Sequence, residues 1–288
     1  MNSIYKKVYS YFLLIPGMLI YFTLFLLPTL AAFFFSFTWW TFTEWKFVGF
    51  DNYITFLTEP SLNIGFRNTL VYAVTACSLK VILGFLLGVF LSLELRTRNF
   101  LRSMIFFPYI LSTVAVGITF TSLMHPTQGL INKFFNVIGL KGLDWLGNPK
   151  IALFSVILVD VWKGVGVATV IYIAGIMAIP REYYEALMID GGNLWAQIRY
   201  LTLPLSRPAM NSVIILSFID GLRRFDFIWT MTQGGPGFST DVIASIIYKQ
   251  YEAGFYGLST AGNVILFLIV AILSFPLYRF LGRKEGEL

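Results

Sequence analysis

The sequence predicts an all-α, polytopic membrane protein with six spans and one long polar insert. Three observations carry this. Hydrophobic residues make up 57% of the chain and charged residues 12%, about half the charged share of a soluble domain. Six apolar runs are each close to the ~20 residues needed to cross a bilayer. The longest charged, amphipathic interruption of the second half, residues 179–208, falls between two of those runs.

Tyr11–Phe37 is the first span, with Pro16 and Pro28 as kinks that neighbouring helices can accommodate. The apolar stretch after Lys6 and Lys7 exceeds a signal-peptide core and lacks a small-residue cleavage site, so it reads as a retained span. Trp39, Trp40 and Trp45 follow as an interfacial aromatic belt would. Residues 44–65 read as an exposed loop with a short helix. Arg67–Leu95 is the second span, and its Gly84 and Gly88 form a small-xxx-small pair suited to close helix contact. Lys80 in this run should face the bundle interior or snorkel to the interface, a packing role in either case. Leu101–Met124 is the third span, with Pro108 inside it. Residues 125–150 form a second loop, where His125 before Pro126 suits a surface or capping role.

Ile151–Met177 is the fourth span and carries Asp160 and Lys163. Ala209–Thr230 is the fifth, interrupted by Asp220, Arg223, Arg224 and Asp226. Gln233–Gly237 reads as a glycine-rich outer turn, without the Lys-Ser/Thr ending of a phosphate loop. Residues 241–256 suit an amphipathic loop helix, and Leu258–Leu281 is the sixth span. Together these make one transmembrane domain over residues 1–288. Six spans place both termini on one side. Eleven of the 21 Lys and Arg then lie there, including Lys6, Lys7, Arg96, Arg98, Arg102, Arg283 and Lys284. The positive-inside rule makes that side cytoplasmic, and residues 179–208 with it.

Several function classes are excluded early. The net charge of +6 belongs to topology rather than to nucleic-acid binding. One cysteine, Cys77, allows no intramolecular disulfide. With one Cys and one His, a zinc site of the usual kind cannot be built. No Walker sequence occurs, so any ATP hydrolysis must come from a partner.

The insert reads as two short helices. Pro180 starts the first, because its missing N–H is free at that position. Glu182 and Glu185 suit the positive end of that helix, and Tyr183, Ala186, Leu187 and Ile189 give it an apolar side. Gly191 and Gly192 break it. A second helix, about residues 194–201, ends at Leu203 and Pro204. Such a knob suits insertion into a groove of an aqueous partner.

At this point the sequence resembles a known family. Glu185-Ala186-Leu187, with Asp190-Gly191 and then Leu201-Thr202-Leu203-Pro204, resembles the EAA signature of ABC importer permeases. Leu187, Gly192 and Ile198 depart from its commonest residues but keep their apolar or small character. Residues 48–53, Arg67-Asn68-Thr69-Leu70, Gly129-Leu130-Ile131-Asn132, residues 144–149, and Phe225-Asp226 with Thr232–Pro236 are similar to the carbohydrate-type permeases. The resemblance extends over nearly the whole chain.

The resemblance implies a transport subunit that is not itself an enzyme, in a bacterial or archaeal cytoplasmic membrane. It implies a second permease subunit, a cytoplasmic ATPase dimer and an extracytoplasmic solute-binding protein as partners, with a carbohydrate as cargo. No cofactor is bound by this chain; ATP and Mg belong to the partner ATPase. Glu185, Ala186, Asp190, Gly191, Leu203 and Pro204 are the implied coupling residues. The plainer reading of Glu185 is one solvated acid on a surface helix.

The polar residues inside the spans have two readings. Asp160 and Lys163 are three apart, Asp220 lies three and four from Arg223 and Arg224, and Arg223 lies three from Asp226, so all can pair along their own helices. Such pairs either lock helices together or line a cavity for sugar hydroxyls. In the second reading Asp160, Trp162, Asp220, Arg223, Arg224, Asp226 and Asn263 contact cargo, with Tyr172, Phe225 and Trp229 as nearby aromatic faces. Two other function classes compete. A stand-alone secondary transporter would want an inverted repeat and a coupling-ion site, and no convincing repeat is seen. A membrane enzyme would want clustered catalytic groups at one membrane face, which are missing.

Overall fold

The computed structural model describes residues 11–41, 43–93 and 96–283. Lys6, Lys7 and Lys284, and the side chain of Arg283, all used above to orient the chain, lie outside the described residues. The chain divides into two compact units, residues 1–59 with 247–265, and residues 60–246 with 266–288.

The first unit holds α1 (Phe12–Phe35) and a hairpin of β1 (Thr38–Trp40) and β2 (Trp45–Phe47). It also holds α2 (Asp51–Thr58). The hairpin pairs Trp40 with Trp45 and Trp39 with Lys46. The region read as a loop with a short helix therefore also carries strand pairing. Asn52 ties it together: its Nδ2 donates to the carbonyls of Ser36 at 2.9 Å and Thr38 at 2.8 Å. The Ser36 hydroxyl meets Tyr53 Oη at 2.6 Å. No residue in the apolar window of α1 is buried by the chain itself.

The second unit is built on α3 (Pro60–Ser92) and α7 (Ala152–Met177). The second span thus begins at Pro60, seven residues earlier than the hydropathy boundary. Pro60 needs no intrahelical N–H partner at a first turn. A Cβ at Gly84 would sit 2.8 Å from the Cβ of Ala168, and one at Gly88 2.7 Å from the Cβ of Tyr172. The small pair therefore does what its spacing suggests, and it faces α7.

The third predicted span is not one helix. α4 (Arg98–Ile110) and α5 (Thr113–Leu123) meet at a bend of 96°. Pro108 lies inside α4 and is not the break itself. The chain turns extended at Leu111 and Ser112, and the Ser112 hydroxyl caps α5 by accepting from the Ala115 N–H at 3.5 Å. α6 (Leu130–Val137) follows in the loop. There Asn132 donates to the carbonyls of Pro126 and Leu143 and accepts from the Leu143 N–H and Trp145 Nε1 at 2.8–3.1 Å.

Beyond α7 come α8 (Arg181–Ile189), α9 (Leu194–Gln197), a wide helical turn at Ile198–Thr202, and α10 (Leu203–Leu205). The second helix of the insert thus stays helical through Pro204, because the wide turn relocates the bond that proline cannot make. Then come α11 (Arg207–Leu222) and α12 (Asp226–Met231). α11 is 16 residues long, about 24 Å, so the fifth predicted span is broken at residues 223–225. The turn after α12 has positive φ at Gln233, Gly234, Gly237 and Phe238. Asn68 Nδ2 on α3 pins it by donating to the carbonyls of Ser239 at 3.0 Å and Asp241 at 2.8 Å. Thr69 Oγ1 accepts from the Ile243 N–H at the start of α13 (Ile243–Glu252). α14 (Tyr256–Arg283) ends the described chain.

Among the described residues, four helices are long and apolar enough to cross a membrane: α1, α3, α7 and α14. The bent pair α4–α5 makes up to five. The mostly helical character expected from the composition is present, with four, or up to five, candidate spans where six were expected.

The α3–α7 contact leaves no room for a side chain at Gly88. Gly88→Leu is expected to cost roughly 1–3 kcal/mol, read as a lowered thermal midpoint in detergent. Gly17→Leu, with nothing within 4 Å of its built Cβ, should leave the midpoint within experimental error.

Candidate functional site

Two places in the second unit concentrate function-bearing groups. One is the insert. α8 ends in a paired turn in which the Gly191 N–H donates to the Met188 carbonyl at 3.0 Å and the Gly192 N–H to the Leu187 carbonyl at 2.8 Å. This C-terminal motif needs a left-handed residue at Gly191, whose φ is +83°. A Cβ at Gly192 would strike Leu187. Asn193 then caps α9, its Oδ1 accepting from the Ala196 N–H at 2.9 Å. The inner side of the knob is held by Tyr184 Oη on Thr202 Oγ1 at 3.1 Å.

The outer side is apolar. Ile189 is 86% exposed, Trp195 71% and Tyr200 70%. Tyr183, Ala186 and Ile189, expected as the apolar side of α8, point to the surface, while Tyr184 and Leu187 are half-buried. Glu185, Asp190 and Gly191 share the exposed surface, and Leu203 and Pro204 are half-buried behind it.

The other place is a cavity of about 510 Å³ between α3, α4, α5, α7 and α11. One wall is a closed ring of charges. Lys80 Nζ on α3 donates to Asp160 Oδ2 on α7 at 3.0 Å and to Asp220 Oδ2 on α11 at 3.3 Å. Arg224 Nη2, beyond the end of α11, contacts Asp160 Oδ1 at 3.0 Å and also pairs with Asp220. Each cation touches both carboxylates, so the four charges cancel. Lys80 and Asp160 are buried, and the Asp220 side chain is 49% exposed.

Lys163 stands one turn along α7 from Asp160 and also lines the cavity. Its Nζ donates to the Tyr109 carbonyl at 3.1 Å and lies 5.1 Å from the centre of the Tyr109 ring. That carbonyl is freed by the end of α4 at Ile110.

Several pairings differ from the sequence expectation. Asp160 and Lys163 do not pair; Asp160 reaches across to Lys80 and Arg224 instead. Asp220 pairs with Arg224 four residues on, as its spacing allows. Arg223 and Asp226 are exposed and form no ion pair with each other, and neither lines the cavity. Lys80 faces the interior, one of its two expected placements, and is one of the four members of the ring.

The aromatic groups also move. Trp162 lies two residues from Asp160, about 200° around the helix. It is 43% exposed and packs on Phe120, outside the cavity lining. Tyr172 is buried against Phe85, and Phe225 stacks on Trp229 at 5.7 Å. Asn263 belongs to the first unit and donates to the Ser259 carbonyl of its own helix at 3.3 Å. The cavity instead takes Tyr109, Thr113 and Ser217. Ser217 precedes Asp220 by three residues on α11, a helical spacing that could have marked it. Thr113 could not be marked without the bend.

No cluster of three or more His, Cys, Asp or Glu residues able to hold a metal ion occurs among the described residues.

The family described as "Binding-protein-dependent transport system inner membrane component" matches residues 80–286. The chain is 32% identical over 281 residues to the trehalose/maltose transport system permease protein MalF of Thermococcus litoralis, covering 96% of this chain and 95% of that one. It is 29% identical over 288 residues to the arabinooligosaccharides transport system permease protein AraP of Bacillus subtilis, covering 98% and 91%. Among solved structures, a chain of a bacterial ABC transporter involved in the import of the acidic polysaccharide alginate aligns with a TM-score of 0.85. Its identity is 22%, and the alignment covers 95% of this chain and 94% of that one. A chain of the MetNI methionine ABC transporter aligns with a TM-score of 0.57 and 14% identity, covering 79% and 99%. At these identities the structural likenesses establish a shared fold. The family match spans most of the chain, and the relatives align along its whole length. On both grounds the chain belongs to the binding-protein-dependent transport system inner membrane components, the permease subunits of ABC importers.

Proposed function

We propose that this permease carries a saccharide through the cavity beside the charge ring, and that residues 179–208 couple it to a cytoplasmic ATPase. The observation that carries the coupling role is the knob's bare apolar outer side. Ile189, Trp195 and Tyr200 are held outward by a glycine turn that needs left-handed backbone. Exposed apolar groups on a short, capped two-helix element suit a groove on a partner. Glu185 on the same surface would pair with a basic group there. ATP and Mg reside in that partner.

Six crossings, with α4–α5 and α11–α12 as broken spans, put both termini and the knob on the cytoplasmic side. A second permease subunit completes the pathway, and a solute-binding protein delivers cargo from outside. The saccharide assignment is supported by relatives whose names specify trehalose and maltose or arabinooligosaccharides. It is also supported by a cavity offering both donors and acceptors. A stand-alone secondary transporter finds no support in the family.

Two experiments test this. Gly191→Val forces a β-branched residue into the left-handed region, at a cost of roughly 1–2 kcal/mol, and should uncap α8. Together with Glu185→Ala it should reduce co-purification of the ATPase severalfold while membrane insertion persists. Unchanged co-purification in both variants would remove the coupling role.

For the cavity, Arg224→Met leaves two carboxylates sharing one lysine and should destabilise the subunit by about 3–5 kcal/mol. Adding Asp220→Leu removes the surplus negative charge and should recover most of that stability. If the ring serves cargo as well as packing, the double variant assembles but loses substrate-stimulated ATP hydrolysis. Normal stimulation in an assembled double variant would assign the ring to packing alone.

A further inference from the structure

We propose that the saccharide carried by this cavity is anionic, with a carboxylate or phosphate that Lys163 engages. The proposal rests on the cavity being the cargo site. The observation behind it is a charge imbalance. The lining holds three cations, Lys80, Lys163 and Arg224, against two carboxylates, Asp160 and Asp220. The ring consumes four of these five charges in mutual contacts. Lys163 is left over. Among the described residues no carboxylate oxygen lies within 4.0 Å of its Nζ.

Its two partners are the Tyr109 carbonyl and the Tyr109 ring, and both are neutral. They orient the ammonium without cancelling its charge. An ammonium carries three N–H donors, and one goes to the carbonyl. The other two remain for whatever occupies the space that Lys163 lines together with Thr113 and Ser217.

A neutral oligosaccharide would not need this surplus. The ring already offers two carboxylates and two cations, enough to meet hydroxyl groups in either sense. An unmatched cation among apolar helices is costly away from water, and an anionic group on the cargo would offset that cost. The Tyr109 carbonyl accounts for where Lys163 points, since it caps the end of α4 at the bend. The helix end and the Tyr109 ring each favour a cation, but as partial charges they leave most of the positive charge unmatched.

The test uses the complete transporter, reconstituted in proteoliposomes with its second permease, ATPase and binding protein. Uptake is compared for a neutral trisaccharide, its uronate counterpart and a sugar phosphate. The wild type is expected to favour one of the two anionic saccharides over the neutral one by at least about tenfold. Which arm wins identifies carboxylate or phosphate. Lys163→Gln keeps a donor for the Tyr109 carbonyl and removes the charge. It should raise KM for the anionic saccharide about tenfold and erase the preference. Lys163→Arg should restore the preference, and co-purification of the ATPase with each variant confirms assembly.

Equal or better uptake of the neutral trisaccharide by the wild type overturns the proposal and leaves the saccharide assignment standing. So does an anion preference that survives in an assembled Lys163→Gln variant. Import of none of the three, together with import of a cargo that is not a saccharide, overturns both.

Discussion

The arrangement of the second unit depends on one constraint: charges placed deep among apolar helices must cancel. Lys80, Asp160, Asp220 and Arg224 meet it as a closed alternating ring drawn from three stretches of chain. Removing any one of them strands a charge, because each contacts two partners of opposite sign. A ring of this kind fixes the rotation and register of α3, α7 and α11 together, which apolar packing by itself specifies weakly. It also requires the backbones to come close. Gly164 makes space for the Lys80 stem, with a built Cβ only 2.7 Å from its Cε, and Gly221 lies against Ala73. The glycines and the charges are therefore one device: the small residues allow the approach, and the ion pairs select a single geometry within it.

The bend between α4 and α5 adds a second layer to the same site. Breaking a helix frees carbonyls that must be satisfied where water is scarce. Here a lysine from α7 satisfies one of them, so a structural debt is met by a charged group that also faces the cavity. The ring provides a balanced wall, and the bend adds a positively charged corner. The insert follows a different logic. Its shape is set locally, by Gly191 in left-handed backbone and by Asn193 as a helix cap, and its apolar residues remain outside. The cavity wall and the insert are thus built from opposite materials. One uses buried polar groups held by tertiary contacts, and the other uses exposed apolar groups held by local turns.

Polar side chains projecting from helices hold the loops as apolar packing holds the spans. Asn132 gathers four hydrogen bonds and organises residues 126–145. Asn68 and Thr69 on α3 hold the turn leading into α13, and Asn52 holds the hairpin of the first unit. Each asparagine uses its amide to satisfy backbone groups that no regular element satisfies.

The sequence by itself determined the composition-driven architecture, the positions of the unbroken apolar helices, the Gly84–Gly88 contact stripe, and the two-helix insert with its glycine stop. All of these follow from interactions spanning a few residues: hydropathy over a window, a four-residue spacing on one helix face, a left-handed turn. Only the tertiary structure decided how the span charges pair. Spacing rules offered Asp160 a partner three residues away in Lys163, yet Asp160 joins Lys80 and Arg224, 80 and 64 positions distant. Helical periodicity likewise could not say which side of α7 faces the cavity, and so could not place Trp162 outside it. The bend after Ile110 carries no strong mark, since the visible proline sits inside the helix and the turn is made by Leu111 and Ser112. The physical reason is common to all three. Within one helix, geometry fixes which residues are neighbours, but the rotation of one helix against another is set by the sum of many contacts that no local pattern records.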